Sequence, residues 1–214
     1  TVQTVANIIR ELEELGLVVQ VGDWVLAEAC RQFMAWQRAE VRLPKISINL
    51  SARQFVDGQL EQRVAETLRS SGIAAGSLEL EMTESMLMQD VDQALSTLVR
   101  LKQLGVGIAI DDFGTGYSSL GYLKRLPLSR LKIDRCFVRD LLTDSNDAAI
   151  VRTIVALGQS LDLQVIAEGV ETVEQRDALL QAGCSLYQGF LFARPGPADA
   201  LQDWAAERQH TSIS

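Results

Sequence analysis

The sequence predicts an α/β fold, a modified (β/α)8 TIM-type barrel, and three observations predict it. Short strand-like runs alternate with helical patterns along the whole chain, which reads as βαβ units on a parallel sheet. Within the strand-like runs polar residues alternate with apolar ones: Ser47, Asn49 and Ser51 with Ile46, Ile48 and Leu50; Glu79 and Glu81 with Leu78, Leu80 and Met82; Lys132 and Asp134 with Leu131 and Ile133. Parallel strands covered by helices on both sides read as nearly continuous apolar runs. Here only one face suits helices, so the other looks into a polar interior, as in the upper layer of a barrel. Finally, 214 residues suit a single α/β barrel, which uses about 200–250.

In order, the chain opens on a helical pattern (Val5, Ile8, Ile9, Leu12, Leu15) stopped by Gly16. A helix over residues 24–37 carries Trp24, Phe33, Met34 and Trp36, which are assigned to core packing. Strands follow at 45–51, 78–82, 106–111, 131–134, 164–168 and 186–189. The helix over 90–104 starts at a capping Asp90 and shows apolar Val91, Leu95 and Leu98; further helices cover 146–161 and 172–182, the last stopped by Gly183. Six strands are counted where the barrel has eight, and none precedes the first helix. The expectation is one barrel domain over residues 1–214 that lacks its first two strands in this chain, on the order of 40 residues, within a longer gene product.

Composition limits the function classes. No apolar run approaches the roughly 18 residues that span a bilayer, and no signal peptide is recognisable at the N-terminus. Cys30, Cys136 and Cys184 are far apart and odd in number, which fits a cytoplasmic domain; segments upstream could still tether the full protein to a membrane. A net charge of −8 argues against binding DNA or RNA polymers, which takes Lys/Arg patches. A phosphate-bearing substrate would need metal ions to supply positive charge.

Barrel active sites are built at the C-terminal ends of the strands. Asn49, Glu81, Asp111, Lys132, Asp134, Glu168 and Gln188 all fall at or near such ends. Each alone has a structural explanation as turn former, helix cap or ion pair; six strands repeating the placement make that explanation improbable. Several oxygen ligands with one amide suit Mg²⁺ or Mn²⁺ rather than zinc, which prefers His and Cys. The single histidine, His210, lies in a polar tail. Adjacent Asp111 and Asp112 would point to opposite faces of a continuing strand, so the strand is expected to end near Asp111, with Gly114 and Gly116 supplying the turn. Asp111 could then bridge two cations while Asp112 holds the second. Two metals about 3.5–4 Å apart suit in-line attack of water on a phosphodiester, with Lys132 holding the water or offsetting developing charge. Glu84 and Glu171, just past strand ends, read as loop braces.

These residues bring a family into view. The chain resembles the EAL family, bacterial phosphodiesterases that linearise cyclic di-GMP to pGpG, in "SINLSARQF" (47–55), "LELEMTES" (78–85), "DDFGTGYSSL" (111–120), "LKIDRCFVRDL" (131–141), "VIAEGVET" (165–172) and "QGFLFARP" (188–195). By that resemblance Asn49, Glu81 and Asp111 hold one metal, and Asp111, Asp112 and Glu168 the second. Lys132 contacts the catalytic water, with Asp134, Glu171 and Gln188 in the pocket. Glu84 anchors the loop of Phe113, Gly114 and Gly116, which in the family couples a homodimer interface to metal binding. The resemblance also implies an early antiparallel strand and an upstream sensory or diguanylate cyclase domain. The Glu-Ala-Leu motif itself is absent from this chain, and Arg10 replaces a common proline. Two other readings stay open: a cyclic di-GMP receptor without catalysis, and a protein-interaction module of the same fold.

Overall fold

The computed structural model describes residues 2–116, 120–201 and 204. The chain divides into two compact units, one of residues 1–80, 103–106 and 198–214, the other of 81–102 and 107–197. The strand Leu78–Thr83 is divided between them.

The first unit runs α1 (Val2–Glu14), α2 (Val18–Arg38), β1 (Ile46–Asn49), α3 (Ala52–Val56), α4 (Leu60–Ser71) and β2, the strand Leu78–Thr83. Helix α2 is its spine and packs on β1, α3 and α4. Its buried stripe runs through Leu26, Cys30 and Phe33. Trp24 lies two residues, about 200° of helix turn, from Leu26, and this puts it outside: it is 65% exposed, contrary to the core role expected of it, whereas Phe33 is fully buried. The opening helix forms as expected, with Ile8 and Ile9 exposed on it and Leu15 exposed just past its end. Ser51 caps α3 through a capping box with Gln54, and Gly22 lets α2 close onto the Gln54 side chain, where a Cβ would meet Nε2 at 2.2 Å.

The second unit continues with α5 (Glu84–Met88), α6 (Val91–Gln103), β3 (Gly107–Phe113), α7 (Leu120–Leu123), β4 (Arg130–Ile133), α8 (Arg135–Arg139), α9 (Ser145–Ser160), β5 (Gln164–Ala167), α10 (Val173–Gln181) and β6 (Leu186–Tyr187). From β3 to β6 every pairing is parallel, with Ala109 opposite Arg130, Leu131 opposite Val165 and Ile166 opposite Leu186. Within the second unit the sheet order follows the chain, β3-β4-β5-β6. That is the sequence of a barrel wall; a doubly wound sheet reverses its order at a switch point. The α/β class expected from the alternation of elements is what the structure shows. One face of the strands is packed by helices, α9 lying on β4 and β5, with Gly158 giving the clearance that Val165 requires. Ile108, Ile110, Leu131 and Ile133 are buried to 1% exposure or less.

Candidate active site

The end of β3 departs from what the sequence suggests. The strand does not stop at Asp111 but runs to Phe113, and its register against β4 shifts between Ile110 and Phe113. The irregularity is made by Asp112 itself, whose φ is 54°. Aspartate tolerates this left-handed conformation because its short polar side chain can bond locally. One residue out of the pleat cancels the alternation that would send neighbouring side chains to opposite faces. The carboxylates of Asp111, Asp112 and Glu168 consequently converge, each with an oxygen within 4.8 Å of the others. Gly114 also has a positive φ, 99°, but it turns the chain after the convergence is complete.

Lys132, on β4 and 3% exposed, is the positive centre of this group. Its Nζ lies 2.5 Å from Glu81 Oε2, 2.6 Å from Glu168 Oε1 and 3.1 Å from Asp111 Oδ1. Burial alone would pull its ammonium toward neutrality, but the charges and hydrogen bonds of Glu81 and Glu168 outweigh burial and hold its pKa above the ordinary lysine value. Glu168 is shifted upward, chiefly by burial, with Lys132 opposing and Asp111 and Glu81 adding. Asp112 is pushed up to about 6 by burial, by a hydrogen bond with Asp134, and by the charges of Asp111, Asp134 and Glu168. Asp134 moves the other way: burial is overcome by hydrogen bonds from Cys136 and Asp112. The two shifts run in opposite directions across one contact. Four carboxylates, Glu81, Asp111, Asp112 and Glu168, against one ammonium form a donor set of hard oxygens that suits a hard divalent cation.

The remaining expected residues are placed as follows. Asp134 is the N-cap of α8, its Oδ1 accepting from Cys136 N at 2.6 Å. Glu171 is exposed on the loop after β5. With Asp134, Gly169 and Gln175 it lines a cavity of about 470 Å³ that Arg135, Cys136 and Arg139 complete. Gln188 follows β6 with an exposed side chain, while its backbone N donates to Ala167 O at 2.8 Å and its carbonyl accepts from Val170 N at 3.0 Å. Gly189 beside it is obligatory, because a Cβ would stand 2.1 Å from the Val170 carbonyl oxygen. Asn49 ends β1 in the first unit and is exposed.

Glu84 is 3% exposed, and its Oε2 accepts from Gly114 N at 3.2 Å. Gly116 carries no Cβ where one would press Glu84 Oε1 at 2.8 Å; Phe113 is buried. Residues 117–119 of the same loop, and His210, lie outside the described residues. Two neighbours of the site went unassigned in the sequence. Cys136 gave no signal, but Gln175 did: Thr172-Val-Glu-Gln175 is a capping box.

Comparison with known proteins points one way. A family model described as EAL domain matches residues 1–195. The bifunctional diguanylate cyclase/cyclic di-GMP phosphodiesterase MucR of Pseudomonas aeruginosa is 52% identical over 189 residues, 88% of this chain and 28% of MucR. The chain therefore spans about a quarter of the length of that relative. A solved structure of the PaMucR phosphodiesterase in complex with c-di-GMP superposes with a TM-score of 0.89 at 50% identity, covering 92% of this chain and 79% of that one. A manganese/cy-diGMP complex of Klebsiella pneumoniae BlrP1 gives a TM-score of 0.75 at 31% identity, covering 83% and 45%.

Proposed function

The chain belongs to the EAL domain family, and we propose that it is a metal-dependent phosphodiesterase that opens cyclic di-GMP to linear pGpG in bacterial second-messenger signalling. The observation that carries this reading is the cluster of Glu81, Asp111, Asp112 and Glu168 about Lys132. A receptor has no need of such a crowded set of anionic ligands. The nucleotide-bound MucR and BlrP1 structures support the choice of substrate.

Glu81 and Asp111 would hold one divalent cation, and Asp111, Asp112 and Glu168 a second; Asn49 is proposed as a ligand on the family resemblance alone. When bound, the two ions supply Lewis-acid polarisation of the phosphoryl group and lower the pKa of water. The chain's own residues do the rest. Lys132 stays protonated throughout the working range, since its carboxylate neighbours hold its pKa up. It donates to the attacking water or a phosphoryl oxygen and offsets the charge that develops there. Asp134, Glu171 and Gln188 orient the nucleotide in the pocket that the strand ends form. Glu84, through Gly114 N, fixes the loop after β3.

The domain is proposed to work as a homodimer in the cytoplasm, regulated by an upstream sensory or diguanylate cyclase domain. No helix among the described residues is long and apolar enough to cross a membrane. The deciding experiment is chromatography of cyclic di-GMP incubated with the protein and Mn²⁺ or Mg²⁺. The expected product is pGpG, lost in Asp111→Ala. A folded protein that binds the nucleotide and makes no product would overturn catalysis and establish the receptor.

A further inference from the structure

Gln175, in the first turn of α10, is 7% exposed, and every hydrogen-bonding position of its amide is used. Oε1 accepts from the backbone N of Glu171 at 2.8 Å and of Thr172 at 3.1 Å. Nε2 donates to the carbonyl of Val138 at 3.2 Å and reaches that of Arg139 at 3.5 Å. The first pair belongs to a capping box, which Glu would complete as well as Gln. The second pair has nothing to do with capping α10: it ties the loop after β5 to the last turn of α8, and only an amide can make both sets of bonds.

The tie joins two parts of the candidate site. The loop begins at Glu168, and α8 begins at its cap, Asp134. At the other end of α8 the loop is held again, since Gly169, at φ 68°, lies where a Cβ would stand 2.6 Å from Arg135 Cβ. The loop is therefore docked on both ends of a five-residue helix, by a missing side chain at one end and a saturated amide at the other.

We propose that Gln175 is a positioning residue for the metal-binding carboxylates, holding the loop that starts at Glu168 at a set distance from the helix capped by Asp134. The proposal rests on the preceding reading that these carboxylates take up divalent cations. Outer partners that orient ligands are worth about 10–100-fold in metal affinity.

Gln175→Glu keeps the capping acceptor, removes both donors and sets a carboxylate against two carbonyls. Thr172→Ala removes the hydroxyl that accepts from Gln175 N and leaves the tie to α8. Calorimetric titration with Mn²⁺, turnover of cyclic di-GMP and thermal melting are measured on both. The expected result is Mn²⁺ affinity lowered about tenfold and kcat lowered with little change in KM for Gln175→Glu, against a lower Tm with unchanged Mn²⁺ affinity for Thr172→Ala. Wild-type Mn²⁺ affinity in Gln175→Glu, at any Tm, overturns the proposal, as does an equal loss in Thr172→Ala, which would make capping the whole effect. Should Gln175→Glu not fold, Gly169→Ala disturbs the same docking from the other end: a similar loss of affinity supports the proposal and an unchanged one overturns it. Wild-type protein that binds Mn²⁺ and makes no pGpG refutes the phosphodiesterase reading only, because the Mn²⁺ titrations still separate the variants.

Discussion

Replacing Lys132 by Met keeps most of the buried stem and removes the ammonium that touches Glu81, Asp111 and Glu168. In the metal-free protein the carboxylates then face one another without a cation. Removing one partner of a buried ion pair typically costs about 3–5 kcal/mol, because the other charge is left uncompensated. A protein of this size loses roughly 2–4 °C of Tm per kcal/mol, so Lys132→Met should melt about 6–20 °C below wild type in the presence of a chelator. Divalent cations supply the same missing charge. Saturating Mn²⁺ should therefore raise the Tm of the variant by clearly more than that of wild type, while turnover stays lost. Differential scanning fluorimetry with chelator and with Mn²⁺ reads both numbers. A variant that melts within about 2 °C of wild type without metal, or an equal Mn²⁺ shift in both proteins, would refute the idea that Lys132 balances the carboxylates.

Three further outcomes follow from the same geometry. With Asp112 pushed up to about 6, its carboxyl must lose a proton before it takes a cation, so Mn²⁺ affinity should fall about tenfold per pH unit below that value; a pH-independent affinity between 5 and 7 would contradict the raised value. For stability the sign is opposite. Because the folded value lies above the unfolded one, this group favours the metal-free fold at low pH, and about 1 kcal/mol, discounted for its partial exposure, is lost as pH rises from about 4 to 6; chelator melts across that range check it. Gly116→Ala would place a Cβ 2.8 Å from Glu84 Oε1 and displace the carboxylate that holds Gly114 N. Losing that charged hydrogen bond should cost about 1–3 kcal/mol locally, seen as faster amide exchange at Gly114 with β4 unchanged.

How much was legible in the sequence depended on whether a residue's environment is local. Alternation along a strand is local, so the polar face carrying Glu81 and Lys132 could be read directly, and both are buried where that face predicts. The bulge at Asp112 was misassigned to the glycines after it, because a left-handed aspartate looks like any other aspartate until its partner strand is known. Trp24 was misplaced for a related reason: helical spacing says which residues share a face, not which face the rest of the fold covers. The capping box at Thr172 was there to be read; the carbonyls of α8 that Gln175 also reaches come from residues some 37 positions earlier, and no local pattern reports them. Helices α3, α4, α5, α7 and α8 were not anticipated, and all of them but α4 are only four or five residues long.

The strand order has a consequence for how the second unit comes into being. From β3 to β6 each strand lies beside the one made just before it, and each new pairing closes over a single intervening stretch of helix and loop. A chain leaving the ribosome can therefore lay down this wall strand by strand, every arrival finding its neighbour already waiting and no strand held unpaired for a partner synthesised much later. Translation and assembly can advance in step.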